Sequence, residues 1–374
     1  MKILHISNDF SLTKVHSNLY RALDNRSIEQ IVYNPVREAT PVGNNNIEFK
    51  VDQSEIVYSK KLHNLHRFLF RSKINYLYRD LNTKVDLSSI DVIHATTLFS
   101  DGALALKIKN KYNTPFIVAV RATDIDVFLK FRRDLIFKAI RILKEASTII
   151  FISDSLKINF LNHPLIRRHK SELAQKCTIV YNGIDNYWLD NQAPKKTTSP
   201  SKILFVGRLI SRKNIVNLAM AILDLNNKGI ACEANFVGEG GMDEPNIKAL
   251  AQKHIGIINY LGAIKEKEVL KSVYRNNHIF AMPSKGETFG LVYIEALSQG
   301  LPVLYSKNEG IDGVFDFEVG ERCDGSNILD ISNALEKMLK SYESYELDKI
   351  DFPVFRWENI AHTYLGIYTK VYKA

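Results

Sequence analysis

The feature that most constrains the fold of this chain is a repeated alternation of short apolar runs with helix-like stretches. In the first half the apolar runs are KILHIS, EQIVYN, DVIHAT, PFIVAV, STIIFIS and CTIVYN. In the second half they are KILFVG, EANFVG, IINYLG, HIFAMPS and LPVLYS. Nearly continuous apolar strands separated by helices are typical of parallel sheets that are covered on both faces. The sequence therefore predicts two doubly wound α/β domains.

Length and linker composition predict where the two domains divide. A chain of 374 residues is longer than one ordinary hydrophobic core supports. Residues 191–201, NQAPKKTTSPS, are polar and lack periodicity, which is typical of a linker. We therefore expect domains at 1–187 and 200–354. Residues 356–374 carry apolar side chains at helical spacing and predict a final helix with one buried face.

The loops that follow three strands of the second half carry the chemistry expected of a binding site. Doubly wound sheets bind ligands beyond the carboxyl ends of their strands. The first loop, in LFVGRLISRKN, contains Gly207, Arg208 and Lys213. The second, in NFVGEGG, begins at Gly238. The third lies in SKGETFGLVYIEALSQGLPVL, and we expect it to lie beside the other two.

The third loop places two glutamates around the start of a helix. Glu287 and Glu295 are separated by TFGLVYI, and Gly300 and Pro302 predict that the helix spans about 291–298. A helix N-terminus binds phosphate, so the glutamates are placed to accept hydrogen bonds from hydroxyls on either side of it. The alternative is that Glu287 is an exposed loop residue and that Glu295 makes a local cap or ion pair.

These motifs resemble those of the retaining glycosyltransferases of family 4, which have the two-domain GT-B fold. The similar segments are YNGID, GRLISRKN, VGEGG, YLGAI, ETFGLVYIEALSQGLPV and FRWENIAHTYLGIY. They extend over essentially the whole second half, whereas the first half is similar only as a Rossmann-like series. The resemblance implies two Rossmann-like domains that face a cleft, with the 356–374 helix crossing back to the first domain.

The resemblance also implies roles for individual residues. Arg208 and Lys213 would bind the diphosphate of a nucleotide-sugar, Glu287 would contact hydroxyls of the donor sugar, and Glu295 would contact the ribose. Arg208, Lys213 and Glu287 are thus the expected catalytic residues. The expected donor-binding residues are Gly207, Gly238, Ile264, Phe289, Gly290, Leu291 and Glu295.

The first half departs from the family pattern in two places. The first strand is followed by NDFSLTKVHSN, without the usual glycine-rich loop, and Arg121 occupies the position where the family often has a histidine. The expected acceptor-side residues are His16, His94, Arg121 and Asp124. Asp124-Ile-Asp126 also spells an Asp-x-Asp metal motif, but a polar loop is the favoured interpretation. We expect no metal and no other cofactor, because the nucleotide-sugar is a substrate.

The basic charge of the chain is confined to its first half. Residues 1–187 contain 28 Lys and Arg against 18 Asp and Glu, while residues 188–374 contain 22 against 23. Segments 59–84 and 128–144 supply much of the excess and include interleaved aromatic residues. Such segments either lie on an anionic membrane or form solvated helices with one face in the core. No nucleic-acid-binding module accompanies the charge, so we expect no nucleic-acid partner.

The sequence thus predicts a retaining glycosyltransferase that moves a sugar from a nucleotide-sugar to a glycan or lipid-linked acceptor, in surface polysaccharide biosynthesis. Two alternatives remain: a nucleotide-sugar epimerase and a non-catalytic nucleotide-sugar-binding protein. The three cysteines are far apart and the N-terminus shows no signal-peptide pattern. We therefore expect a cytoplasmic location, with peripheral binding to the inner membrane face as an option.

Overall fold

The structure is a computed structural model that describes residues 1–373, and it contains two parallel β-sheets. The seven strands of the first sheet are β1 Lys2–Ile6, β2 Glu29–Asn34, β3 Glu55–Tyr58, β4 Val92–Ala95, β5 Phe116–Ala119, β6 Thr148–Phe151 and β7 Cys177–Ile179, in the order β3-β2-β1-β4-β5-β6-β7. The six strands of the second are β8 Lys202–Val206, β9 Glu233–Val237, β10 Ile258–Gly262, β11 Ile279–Ala281, β12 Val303–Ser306 and β13 Gly320–Cys323, in the order β10-β9-β8-β11-β12-β13.

Helices connect these strands in both sheets. They are α1 Lys14–Asp24, α2 Phe70–Lys84, α3 Ser100–Tyr112, α4 Ile136–Glu145, α5 Asp154–Asn162, α6 Lys170–Ala174, α7 Asn186–Asp190, α8 Ile215–Asn227, α9 Glu244–Lys253, α10 Lys267–Asn276, α11 Leu291–Ser298, α12 Ile328–Lys340 and α13 Trp357–Lys373. The sheets and helices together form the two doubly wound α/β units that the sequence predicts.

The chain folds into two compact units, and the division lies at Gly183/Ile184. The first unit contains residues 1–152 and 156–183 together with α13, and the second contains 153–155 and 184–356. The expected linker at 191–201 is not a free connection, because it belongs to the second unit. Lys195 shows why: its Nζ donates to the carbonyl oxygens of Tyr342, Glu343 and Tyr345, which anchors this polar segment.

Helix α13 is part of the core of the first unit. Its apolar side chains recur every three or four residues and lie on one face, as the sequence predicts. Ile360, Tyr364 and Tyr368 are buried in one cluster with Ile3 of β1 and Leu23 of α1. The side chain of His94, on β4, also contacts this helix through a 2.8 Å hydrogen bond between Nδ1 and the Tyr368 hydroxyl. The last helix therefore completes the first unit although it is the last element of the chain.

The second sheet brings the loops that follow β8, β9 and β11 to one edge. β8 lies between β9 and β11, and Val206 at the end of β8 is paired with Val237 at the end of β9. Gly238 follows β9 with a φ of +143°, and a Cβ built on it would lie 1.8 Å from the carbonyl oxygen of Gly207. Only glycine allows these two loops to approach so closely.

Two strands and one helix differ from the sequence prediction. Strands β3 and β13 are the outermost strand on one side of each sheet, and the sequence does not predict them. GERC of β13 lacks an apolar run, whereas EIVY of β3 contains the same IVY run as β2. The helical pattern over 128–145 forms one continuous α-helix only from Ile136. Residues 124–129 instead form a π-helical turn and residues 133–135 a 3₁₀ turn.

Within residues 1–373, no helix combines the length and the apolar character that crossing a membrane requires.

Candidate active site

An ion pair joins two of the predicted site residues in the second unit. Lys213, in the loop between β8 and α8, places Nζ 2.5 Å from Oε2 of Glu287, in the loop before α11. The two side chains are 15% and 11% exposed. Lys213 Nζ also lies 3.3 Å from Sδ of Met282. A lysine and a glutamate from different loops are thus held together at the carboxyl edge of the sheet, with little solvent around them.

Three further hydrogen bonds fasten these two loops to each other. Asn214 Nδ2 donates to the carbonyl oxygen of Pro283 at 2.7 Å. Arg212 donates from its guanidinium to the carbonyl oxygen of Gly286 at 2.9 Å, and its own carbonyl accepts from the Lys285 N–H. Hydrogen bonds thus hold together the two loops that carry Lys213 and Glu287. This limits the reorganisation of the site that ligand binding requires.

The start of α11 gives this edge a concentration of N–H groups. Gly290 precedes the helix with a φ of +75°, and a Cβ there would meet the Tyr293 ring at 2.6 Å. The neighbouring positions differ in exposure: Phe289 is buried, whereas Leu291 is partly exposed. The Tyr293 N–H donates to the Gly290 carbonyl at 2.9 Å, whereas the N–H groups of the first turn before it lack intrahelical acceptors and are available to an anion beside Glu287.

Two residues that sequence reasoning missed support Glu287. Glu309 accepts the Glu287 N–H through Oε2 at 3.0 Å, and the Gly310 N–H donates to the Glu287 carbonyl at 2.8 Å. Both lie in the loop after β12, which is the neighbour of β11 in the sheet. The signal was available, because SKNEG is a polar, glycine-containing loop at a strand end like the other three.

The remaining predicted donor-side residues lie along the same sheet edge. Gly207 donates to the carbonyl of Val237 at 3.0 Å, and Gly238 donates to that of Gly262 at 2.8 Å. Arg208 is exposed, and among residues 1–373 its side chain has neither an ion pair nor a hydrogen bond. Ile264 is partly exposed in the loop that follows β10. The glycines thus shape the loops, while Arg208 presents an uncompensated positive charge.

Glu295 lies apart from the Lys213–Glu287 pair, against a different set of side chains. Its Oε2 accepts a 3.4 Å hydrogen bond from the hydroxyl of the buried Tyr274. Burial raises the pKa of Glu295 from its ordinary value of 4.5 to about 7, and the Tyr274 hydrogen bond offsets this only in part. Asp185 raises the pKa further and Lys267 lowers it. Glu295 is therefore a carboxyl group without a strong cationic partner, and a ligand hydroxyl can bind to it.

In the first unit, two of the four predicted acceptor-side residues lie near one carboxylate. Nε2 of the buried His16 is 2.9 Å from Oδ1 of Asp9. Arg121 donates from Nε to the Thr96 carbonyl at 3.2 Å. Burial acts to raise the pKa of Asp9, but His16 and Arg121 outweigh it and lower that pKa to about 2. Asp9, which the sequence did not single out, is therefore a stable anion.

The other two predicted acceptor-side residues have internal partners. Asp124 accepts hydrogen bonds from the backbone N–H groups of Leu98, Phe99 and Arg121, at 3.1, 3.3 and 2.9 Å. His94 is buried against α13, and burial holds its pKa well below 6.5. Within residues 1–373, no group of three or more His, Cys, Asp or Glu side chains is placed to hold a metal ion.

The chain is similar to known glycosyltransferases along most of its length. An uncharacterized glycosyltransferase of Methanocaldococcus jannaschii is 25% identical, and the match covers 77% of this chain and 76% of that protein. The capsular polysaccharide biosynthesis glycosyltransferase CapM of Staphylococcus aureus is 28% identical, over 52% of each chain.

Solved structures share the fold. A sucrose-phosphate synthase from Thermosynechococcus elongatus superposes with a TM-score of 0.74 at 18% identity, covering 100% of this chain and 99% of that one. Anabaena HepE, in complex with UDP and glucose, gives a TM-score of 0.57 at 16% identity over 99% and 95% of the two chains.

Family models match both halves of the chain: Glycosyltransferase Family 4 at residues 14–186 and Glycosyl transferases group 1 at residues 187–347. Together with the fold and the relatives, these matches establish that the chain belongs to the GT-B glycosyltransferases.

Proposed function

We propose that this protein transfers a sugar from a nucleotide-sugar donor to a glycan or lipid-linked acceptor, with retention of anomeric configuration. The observation that carries the proposal is the Lys213–Glu287 pair at the start of α11, on loops fastened by Asn214 and Arg212. A cation for phosphate, a carboxylate for hydroxyls and a helix N-terminus meet there. That combination matches the chemical groups of a nucleotide-sugar.

In the proposed complex, the donor diphosphate binds between Lys213, Arg208 and the first turn of α11. An ammonium group has three donors, so Lys213 can keep its bond to Glu287 while donating to phosphate. Breaking the sugar–phosphate bond increases the negative charge on the departing diphosphate, and fixed positive groups stabilise that charge most in the transition state. The reaction so described uses protein cations and requires no metal or other cofactor.

The two glutamates bind different parts of the donor. Glu287 is adjacent to the cation that holds the diphosphate, so its free acceptor capacity suits hydroxyls of the sugar. Glu295 lies farther along α11 beside Tyr274, where it suits the ribose hydroxyls of the nucleoside. Glu287 lies in the loop before α11 and Glu295 lies in its second turn, so the two carboxylates are placed to meet different parts of one ligand.

The proposed acceptor is a growing surface glycan, and the proposed location is the cytoplasmic face of the inner membrane. CapM, one of the relatives, takes its name from capsular polysaccharide biosynthesis. The basic first half also exposes large apolar side chains, with Phe68 at 77%, Phe131 at 68% and Phe137 at 87% exposure. Exposed aromatic residues among Lys and Arg suit the interface of an anionic membrane. Neither 59–84 nor 128–144 is one continuous amphipathic helix, so several short elements form this surface.

A panel of nucleotide-sugars and nucleoside diphosphates tests the proposal. A ligand that binds only the native state raises the melting temperature. At a ligand concentration one hundred times the dissociation constant, the free energy of unfolding increases by about 2.7 kcal/mol. The stabilising donor is then incubated with candidate acceptors, and the anomeric proton of the product is followed by NMR. We expect acceptor-dependent release of the nucleoside diphosphate and an unchanged anomeric configuration. Donor conversion without acceptor would indicate an epimerase, and binding without release would indicate a non-catalytic protein.

A further inference from the structure

A cavity in the first unit contains a buried lysine that the proposed reaction does not use. The cavity measures about 440 Å³. Lys73, on α2, lines it and is only 7% exposed, although it belongs to the basic segment 59–84. Its Nζ donates to the hydroxyl of Ser100 at 2.6 Å, and within residues 1–373 it forms no ion pair with a carboxylate. Since an ammonium group has three donors, a single neutral hydroxyl leaves most of its hydrogen-bonding capacity unused.

A second cation lines the same cavity. Arg37 follows β2 and is partly buried, and its guanidinium has no ion pair or hydrogen bond in the described part of the chain. Burial and Arg37 together lower the pKa of Lys73 from 10.5 to about 8. Burial and the nearby Arg67 lower the pKa of Arg37 in turn. Both shifts reflect two positive groups that lie close together and are partly or fully withdrawn from solvent.

Asp9 and Asp124 also line this cavity and Asp101 lies near it, but within residues 1–373 none of the three forms an ion pair with Lys73 or Arg37. Asp9 is paired with His16, and Asp124 accepts three backbone N–H groups. Asp101 acts to raise the pKa of Lys73; its Oδ2 accepts hydrogen bonds from the side chains of Asn8, Thr96 and Thr97, whereas its buried Oδ1 has no hydrogen-bond partner among the described residues. Burial raises the pKa of Asp101 to about 7, so this carboxyl group carries only part of a negative charge at neutral pH. No carboxylate therefore binds either cation directly. Holding a buried ammonium in this way costs stability unless a ligand supplies the anion.

We propose that Lys73, Arg37 and Ser100 bind a phosphate group of the acceptor in this cavity. The proposal rests on the proposed function and adds a substrate class to it, namely an acceptor that carries an esterified phosphate. A phosphate offers several strong acceptor oxygens, which match the ammonium, the guanidinium and the hydroxyl. The cavity has room for more than the phosphate, and Leu62 and Phe128 supply apolar surface to the group attached to it.

The test is titration with inorganic phosphate, followed by calorimetry and by thermal unfolding of the full chain. Each titration is run in wild-type protein and in a Lys213→Met background, which impairs the proposed donor diphosphate site. The test variants are Lys73→Met and Arg37→Gln, and the matched control is Arg79→Gln, which removes an exposed charge from the same helix. We expect Lys73→Met and Arg37→Gln to weaken phosphate binding at least about tenfold, the scale of one charge-assisted hydrogen bond.

Thermal unfolding without phosphate separates a binding role from a structural one. Lys73→Met removes an uncompensated buried charge, so we expect its melting temperature to equal or exceed that of wild type. Phosphate should then stabilise wild type and Arg79→Gln but not Lys73→Met. A lower melting temperature for Lys73→Met with an unchanged phosphate response would overturn the proposal. The titration uses no nucleotide-sugar, so it can succeed or fail independently of glycosyl transfer.

The phosphate can come from a soluble sugar phosphate or from a lipid headgroup, and sedimentation with vesicles distinguishes them. Phosphatidylcholine vesicles with and without phosphatidylglycerol are compared for wild type and Lys73→Met. Weaker binding of Lys73→Met to phosphatidylglycerol vesicles, reversed in wild type by competing phosphate, would assign the cavity to a headgroup. Equal vesicle binding, combined with lost phosphate binding, would assign it to a soluble phosphate. Equal binding of both ligands by both proteins would refute the site.

Discussion

Replacing Lys213 by Met separates the energetic role of the Lys213–Glu287 pair from its catalytic role. The substitution leaves a carboxylate that is 11% exposed without its cation, although the Thr288 N–H still donates to Oε1 of Glu287 at 3.2 Å. Breaking a fully buried pair costs about 3–5 kcal/mol, and exposed pairs contribute about 0–1 kcal/mol. For this nearly buried pair we expect a loss of about 2–3 kcal/mol. The protein should remain folded, because domains have about 5–15 kcal/mol of stability.

A double-mutant cycle isolates the interaction. Glu287→Gln removes the charge, so the Lys213→Met/Glu287→Gln double variant should recover most of the stability that Lys213→Met loses. The coupling energy should be about 2 kcal/mol. The chain has two tryptophans, and Trp188 is the one in the second unit. Its fluorescence during urea unfolding, in a Trp357→Phe background, therefore reports the unit that contains the pair. Additive losses of stability would refute the inferred coupling.

The turnover number of the same variants tests the catalytic role of Lys213. If Lys213 stabilises the departing diphosphate, Lys213→Met should lower kcat by roughly 100-fold or more, the scale of one preorganised electrostatic donor. The double variant should recover stability but not activity. Lys265→Met, which removes an exposed lysine from the same unit, is the matched control and should retain activity. Wild-type turnover in Lys213→Met would show that the pair is structural only.

Three further outcomes follow from the structure. The pKa of Glu295 is raised from 4.5 to about 7, so its charged form destabilises the folded protein at pH 8. Glu295→Gln removes that charge and should raise the free energy of unfolding at pH 8 by an amount on the order of 3 kcal/mol, as measured by urea unfolding. The gain should vanish as the pH falls below 4.5, where the carboxyl group is protonated in both the folded and the unfolded state. A gain that persists at pH 4 would contradict that pKa. Gly238→Ala should abolish stable folding, because its Cβ would lie 1.8 Å from the Gly207 carbonyl oxygen, whereas Gly229→Ala, with open space, should lower the melting temperature only modestly. Phe137→Ser should weaken sedimentation with anionic vesicles, while Ile255→Ser, which changes an equally exposed residue of the second unit, should not; equal behaviour would exclude Phe137 from the membrane surface.

The sequence predicts the central strands because their apolar runs are nearly continuous, and it predicts α11 because Gly300 and Pro302 mark its end. Of the outer strands, β13 escapes prediction because GERC has no apolar run, whereas the IVY run of β3 was a signal available in the sequence, as it was for β2. The contact of Lys213 with Glu287 follows from the neighbouring positions of β8 and β11, so that part of the site was predictable.

Other parts of the site depend on tertiary contacts that no local pattern encodes. Lys73 lies in a basic segment that suggests a solvated surface, yet the fold buries its ammonium group beside Ser100. Asp124 has the composition of a metal motif, but three backbone N–H groups bind it instead. The support that Glu309 gives to Glu287 arises from a loop more than one element away in the sequence.

The central claim is that Glu287 binds the sugar and Glu295 the nucleoside of one donor, and calorimetry of Glu287→Ala and Glu295→Ala tests it most directly. Each variant is titrated with the nucleoside diphosphate and with the intact nucleotide-sugar. We expect Glu295→Ala to weaken binding of both ligands by a similar factor, since the ribose is common to them. Glu287→Ala should retain the affinity for the free diphosphate and lose affinity for the intact donor, by about tenfold for one charge-assisted hydrogen bond. Equal losses for both ligands in both variants would contradict the account.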